Sequence, residues 1–294
     1  MALAHTFAAV TGTHRNDCRW LGHRADAAGF DPERCESWVG SSTAERLSSV
    51  MVQRGWSTDI HETPGRTWVC TSSGRVYEYA KPKLQGKRSE HVVGGVLRGL
   101  WGPRDDHVFA WGTLRGRGVV HHHDGTRWSS ADSDRPVVRV HGDADGQNVL
   151  AVADGGHVLR WVDGDLQPEH RIDAQLTGLA VTSSSEAWAV SDDGRLFRRH
   201  AGDWSLVDRI DRPLYCVASW RSETWVGGQR ALFVLRDGSL QKVRDTFDVL
   251  GFDTRDTLLM VTPTHLVSGD DGVRFKGHSV AAFQRLSASK PVPW

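Results

Sequence analysis

From about residue 54 to residue 276 the chain repeats one short pattern. The central copy runs Leu179-Ala180-Val181, a polar turn, Glu186-Ala187-Trp188-Ala189-Val190, the turn Asp192-Asp193-Gly194, then Arg195-Leu196-Phe197-Arg198 and Gly202-Asp203-Trp204. Large residues at the middle of the second apolar run recur as Trp68, Phe109, Leu150, Trp188, Trp225 and Leu258, in steps of 41, 41, 38, 37 and 33 residues. Within each copy the apolar residues alternate or run for four or five positions between Gly and Asp turns, which is strand rather than helix periodicity. A β-propeller blade takes about 40 residues, so each step is one four-stranded blade.

Six copies cover 54–91, 92–135, 136–174, 175–212, 213–246 and 247–277, and two ends are left over. Val280–Leu286 reads as a first strand with no blade behind it. His5–Val10 and Cys18–His23 read as later strands with no first strand before them. Joining the ends gives an all-β propeller of seven four-stranded blades, one domain over residues 1–294. Its last blade is closed by N- and C-terminal strands, which removes the exposed sheet edges. Six blades plus a separate N-terminal piece is the alternative. Ser42-Thr43-Ala44-Glu45 has the form of a capping box, and Leu47, Val50 and Met51 follow at helical spacing. This predicts one short helix near 43–53, covering the ring or docking a partner. Asp124-Gly125, Asp163-Gly164, Asp237-Gly238 and Asp271-Gly272 fall between third and fourth strands, where Asp-Gly suits a tight hairpin.

The second and fourth copies carry a resemblance. Leu100-Trp101-Gly102, Asp106–Ala110, Gly118-Val119-Val120 and Asp124-Gly125-Thr126-Arg127-Trp128, with Glu186–Val190 and Trp204, are similar to the tryptophan-rich repeats of bacterial β-propeller proteins common in myxobacteria. These are WD40-like and YVTN-like propellers. The similarity spans about three quarters of the chain and is weakest over the first 50 residues. It implies the fold and a bacterial source; it carries no catalytic residue across. The Gly-His and Trp-Asp marks of eukaryotic WD40 blades and the Kelch double glycine do not recur.

Lys+Arg and Asp+Glu are 36 each. This balance argues against a dedicated nucleic-acid or acidic-membrane binder. No apolar run is long enough for a membrane helix, and Met1–Gly12 lacks the form of a signal peptide, so the expectation is a cytoplasmic protein. Cys18, Cys35, Cys70 and Cys216 show no metal-ligand spacing, and Cys70 and Cys216 sit in apolar strands as buried thiols would. His121-His122-His123 places two imidazoles on one strand face without a neighbouring Cys, Asp or Glu at diagnostic spacing. The basic cluster Lys81-Pro82-Lys83 with Lys87-Arg88 reads as a solvated turn. No nucleophile elbow, phosphate loop or dinucleotide fingerprint is present, so no catalytic residue, metal or cofactor is expected.

Loops joining second to third strands, and fourth strands to the next blade, lie on one face of a propeller. There they carry Arg115, Arg117, Asp154, Asp192, Gln229, Arg230, Arg135 and Arg212. A mixed-sign surface with exposed arginines suits recognition of another protein. The leading reading is a non-catalytic protein-binding propeller: a scaffold, an assembly subunit, or an inhibitor or immunity-type partner. A glycan- or small-molecule-binding lectin, requiring a repeated Trp-lined pocket, and a propeller hydrolase or lyase, requiring ionisable groups with shifted pKa at the channel mouth, remain open.

Overall fold

The computed structural model describes residues 3–14, 17–26, 35–43, 46–81 and 88–289. They form seven four-stranded antiparallel sheets, each built from four consecutive strands. Blade 1 is β1 (Leu3–His14), β2 (Asp17–Asp26), β3 (Glu36–Ser42) and β4 (Leu47–Arg54); blade 2 is β5 (Ser57–Glu62), β6 (Arg66–Thr71), β7 (Arg75–Ala80) and β8 (Arg88–Val92). Blade 3 is β9 (Val96–Arg104), β10 (His107–Leu114), β11 (Arg117–His123) and β12 (Trp128–Ser133); blade 4 is β13 (Val137–Gly142), β14 (Val149–Ala153), β15 (His157–Val162) and β16 (Asp165–Arg171). Blade 5 is β17 (Leu176–Val181), β18 (Glu186–Ser191), β19 (Arg195–His200) and β20 (Asp203–Arg209); blade 6 is β21 (Leu214–Trp220), β22 (Glu223–Gly228), β23 (Ala231–Arg236) and β24 (Ser239–Arg244). Blade 7 is β25 (Gly251–Thr254), β26 (Leu258–Val261), β27 (His265–Gly269) and β28 (Phe275–Ser279), followed by the helix α1 (Val280–Ala288).

The repeat anchors all fall on second strands. Trp20, Trp68, Phe109, Leu150, Trp188, Trp225 and Leu258 are each at most 6% exposed. They fill the space between adjacent sheets, so the core is a ring of inter-blade clusters rather than one central mass. Side chains of the inner strands, and of the second strand in blade 3, then latch blade to blade by bonding the neighbouring blade's backbone. The Glu62 N–H donates to Thr11 Oγ1 (3.1 Å), the Leu100 N–H to Asp59 Oδ2 (3.0 Å), and His61 Nε2 to the Gly102 carbonyl (2.8 Å). Trp111 Nε1 donates to Val138 O (3.0 Å), the Val181 N–H to His141 Nδ1 (3.1 Å), and Thr177 Oγ1 to Leu214 O (2.7 Å). The Cys216 thiol reaches Val249 O (3.5 Å), and the Gly12 N–H reaches Asp253 Oδ2 (3.0 Å) across the closing seam. Every blade junction therefore has a polar latch that satisfies a backbone group near the channel.

Two terminal expectations are corrected. Blade 1 is complete by itself, with β1 as its inner strand packed between β5 and β25, so the ring closes by packing rather than by a shared blade. Residues 280–286 are not a strand but most of α1. Val280, Phe283 and Ser287 recur at helical spacing, and Phe283 is fully buried against Phe7, Trp20 and Trp38, with ring centroids 5.6, 5.1 and 5.7 Å away. With the inner position already filled by β1, the chain leaving β28 gains most by capping the flank of blade 1. The helix expected near 43–53 is instead strand β4. Trp38 pairs with Val52 and Ser42 with Leu47, giving blade 1 its fourth strand. Thr43 does accept the N–H of the residue three positions on, at 3.3 Å from Arg46, but that bond closes a turn and starts no helix. Ala44 and Glu45 lie outside the described residues.

The hairpin turns divide into two kinds. Asp163-Gly164 and Asp237-Gly238 are two-residue loops with both residues at positive φ, as a primed turn requires. Asp124 and Asp271 open longer loops, in which one carboxylate oxygen accepts two consecutive backbone N–H groups: Thr126 and Arg127 at 2.9 Å, and Val273 and Arg274 at 2.9 and 2.7 Å. The Thr126 hydroxyl, donating to the same Asp124 oxygen at 2.6 Å, then these backbone bonds hold Asp124 below the usual carboxylate range, and the backbone bonds alone do so for Asp271.

Candidate functional site

The eight residues expected to bind a partner fall on blades 3–6 and all lie at one rim of the ring. The structure ties them into separate local arrangements. Arg117 pairs with Asp134 (2.7 Å) and more distantly with Asp132 (3.9 Å). Asp154 accepts a bond from Gln175 Nε2 (3.1 Å), and the Arg230 N–H donates to Asp248 (2.7 Å). Arg115 and Arg230 occupy left-handed turn positions, which project their side chains outward, while Arg135, Asp192 and Gln229 are exposed and Arg212 is half-buried. Of the basic cluster, residues 82–87 lie outside the described residues.

Sequence reasoning missed the apolar component of this rim. Val92, Val96, Leu114 and Leu250 are 72, 50, 37 and 40% exposed, and all four sit at strand ends or loops on the same face as the arginines. Val96 pairs with Thr113 across the β9–β10 ladder, next to Leu114, Arg115 and Arg117. Val96 and Leu114 therefore adjoin the exposed Arg115–Arg117 turn, and Val92 ends the neighbouring strand β8 on the same face. The signal available in the sequence was Val92-Val93-Gly94-Gly95-Val96, an apolar run in a linker between blades.

The second site is the channel. It widens to a cavity of about 800 Å³ toward the opposite face, where Pro64, Pro103, Asp143 and Arg255 come from first-to-second strand segments. Its ionisable groups come from blades 2, 4 and 7: Asp59, His61, Glu62 and Lys81, then Arg139, His141 and Asp143, then Asp253 and Arg255. Burial pushes His61 down to about 4 and His141 down to about 3, so both rings are neutral near pH 7; the charges of Arg255 on His61, and of Arg139 on His141, add to this. Burial pushes the Asp59 and Glu62 carboxyls up against the opposing pull of Arg139 and Lys81. Arg255 is held by Asp253 (3.3 Å) and donates to the Glu62 carbonyl (2.5 Å). Glu62 itself sits near Lys81 (3.4 Å) and Arg19 (3.7 Å) and accepts from Thr67 Oγ1 (3.1 Å).

Other singled-out residues are structural. His121 is buried with Nδ1 at 2.7 Å from Ser130 Oγ, and His123 lies among Trp68, His91 and Trp128. His122 faces the other way, bonded to His107 (2.8 Å) and stacked on Phe109. Among the described residues no group of three His, Cys, Asp or Glu side chains is placed to hold a metal. Cys35, Cys70 and Cys216 are buried thiols whose pKa is raised by desolvation. The anchor tryptophans are core, so they line no repeated surface pocket of the kind a lectin needs.

No family model and no curated protein matches this chain. Solved structures match through the fold. "YCF48 bound to D1 peptide" aligns with a TM-score of 0.64 at 12% identity, covering 90% of this chain and 92% of that one. The WD40 β-propeller domain of Doa1 aligns at 0.68 and 12% identity, covering 89% and 93%. Virginiamycin B lyase from Staphylococcus aureus aligns at 0.62 and 10% identity, covering 89% and 96%. The chain is a seven-bladed propeller of the architecture shared by these proteins, and at such identities the likeness extends to fold alone.

Proposed function

We propose that this propeller is a non-catalytic protein-binding module of the bacterial cytoplasm, serving as a scaffold, assembly subunit or inhibitor of another protein. Its binding rim is formed by the second-to-third strand turns and the inter-blade loops. The observation that carries this reading is the concentration there of exposed apolar side chains, Val92, Val96 and Leu114, beside Arg115 and Arg117. An apolar centre with arginine at its edge is the usual composition of a protein-binding patch. A structural neighbour that binds a peptide supports it at the level of fold. Kinship with the tryptophan-rich bacterial repeats belongs to the same proposal and rests on the motifs of blades 3 and 5 that resemble them.

The test is quantitative capture of partners by the tagged full-length protein from the cells that express it. One stoichiometric partner is expected, lost when Arg115, Arg117 and Arg230 are changed together to Glu and when Leu114 is changed to Asp. A stoichiometric complex unaffected by both changes would remove the rim from the reading. The ionisable channel favours a second, independent role.

A further inference from the structure

We propose that the channel mouth enclosed by blades 2, 4 and 7 is a binding site for a small organic carboxylate, anchored by the guanidinium of Arg139. The inference stands apart from the protein-binding rim, because the mouth opens on the opposite face.

Most charges in the channel already have partners. Asp59 accepts the backbone N–H groups of Ile60 (2.9 Å) and Leu100 (3.0 Å). Asp253 accepts from Thr11 Oγ1 (2.7 Å) and Gly12 N (3.0 Å) and pairs with Arg255. Asp143 is tied to the backbone of Gln147 and Asn148 (2.9 and 3.1 Å) within its own turn. Among the cavity's cations, Arg255 and Lys81 each have a carboxylate partner. Arg139 differs. It lines the cavity and is half-buried, and its guanidinium lies 5.7 Å from the Trp111 ring. Among the described residues it makes no hydrogen bond and no close ion pair. Asp59, on which its charge acts, has both oxygens engaged by backbone N–H groups.

A partly desolvated guanidinium without a hydrogen-bond acceptor leaves a planar fork of donors facing the cavity. That fork matches a carboxylate bidentately. The rest of the wall defines the ligand's body. Blades 5, 6 and 7 contribute Leu179, Val181, Val217, Ala218 and Phe252, with no charged group from blades 5 or 6. The cavity is thus charged on one side and apolar on the other. Its size is that of a small-molecule pocket. An anionic head on Arg139 with an aromatic or aliphatic body against blades 5 and 6 satisfies both halves.

The probe is 4-fluorobenzoate, titrated against the full-length protein by 19F NMR, with 4-fluorobenzamide as the uncharged isostere and inorganic phosphate as competitor. Expected results are saturable binding of the benzoate, at least tenfold weaker binding in Arg139→Gln, and no saturable binding of the benzamide. Arg139→Lys, which keeps the charge but loses the fork, should fall between, and it serves as the test if Arg139→Gln does not fold. Thermal unfolding of each variant checks that the ring is intact. No saturation up to about 10 mM, equal binding of benzoate and benzamide, or undiminished binding in folded variants would each overturn the proposal. Displacement of the benzoate by phosphate at equal concentration would assign the site to phosphate and overturn the carboxylate class.

Discussion

At the scale of single residues, the seams between blades are held by a few buried polar groups with two or more obligations. Glu169 on β16 bridges Arg160 (2.6 Å) in its own blade and Arg199 (2.7 Å) in the next, and the Arg199 side chain is only 7% exposed. Removing the carboxylate leaves a buried guanidinium without its counter-charge. Glu169→Ala should therefore cost about 3 kcal/mol in urea unfolding, whereas loss of the exposed Lys242–Asp245 pair should leave the urea midpoint essentially unchanged. Equal effects of the two changes would show that the blade 4–5 seam does not depend on this bridge. The same logic explains the His121-His122-His123 run. Alternation predicted two faces, and the structure uses them for two different inter-blade aromatic clusters. Which cluster each ring joins depends on residues of blades 2 and 4, which no local reading supplies.

At the scale of elements, the turn between second and third strands is a repeated device. Thr71–Arg75 and Ser191–Arg195 share a hydroxyl that accepts the arginine N–H at 3.1 Å, and the glycines between have positive φ. The Gly194 carbonyl accepts the Ile210 N–H at 3.0 Å as the chain leaves the blade. A Cβ at Gly194 would stand 2.1 Å from the Ile210 carbonyl. Gly194→Ala should destabilise by about 2–3 kcal/mol, from the positive φ and the backbone clash together. Gly164→Ala, with positive φ but open space around it, should cost about 1 kcal/mol. The ratio of the two urea midpoint shifts checks this. Helix α1 is the other informative element. Truncating Phe283 to Ala empties a site shared with Phe7, Trp20 and Trp38, and should cost about 3–5 kcal/mol. An effect below about 1 kcal/mol would mean that α1 contributes little to closing the ring.

At the scale of the whole molecule, the ring gathers neutral histidines in its interior. Burial lowers His23, His61, His121 and His122 to about 4, and His141 to about 3, from an unfolded value of 6.5. Between pH 6.5 and about 4 the unfolded chain binds more protons at these sites than the folded one. Stability therefore falls as pH drops through that window, by up to about 1.4 kcal/mol per pH unit for each group. Asp59 and Glu62, whose folded pKa values are raised, act with the opposite sign, losing stability as pH rises. Five histidines outweigh two carboxyls, so the urea midpoint should be markedly lower at pH 5 than at pH 7.5. A midpoint flat across that range would show that the interior histidines become protonated without loss of the fold.

The repeat made the blades legible. A period near 40 residues, an anchor on each second strand and a glycine after it are local consequences of strand alternation and turn geometry, and each of the anchors at Trp68 through Leu258 took its expected place. The ends were not legible in the same way. Ser42–Arg54 and Val280–Leu286 carry patterns that suit helix or strand almost equally, and the choice went to whichever conformation completed blade 1's hydrogen bonds and buried Phe283. The candidate surfaces divide likewise. The rim arginines could be assigned from loop order alone, because propeller topology fixes which turns share a face. The juxtaposition of Arg139 with Asp59 and His61 arises from inner strands about 80 residues apart in sequence. Periodicity is a property of neighbours along the chain, and it dictated the blades. A channel is made of residues that become neighbours only when the ring closes, so its charge balance was decided by the tertiary structure.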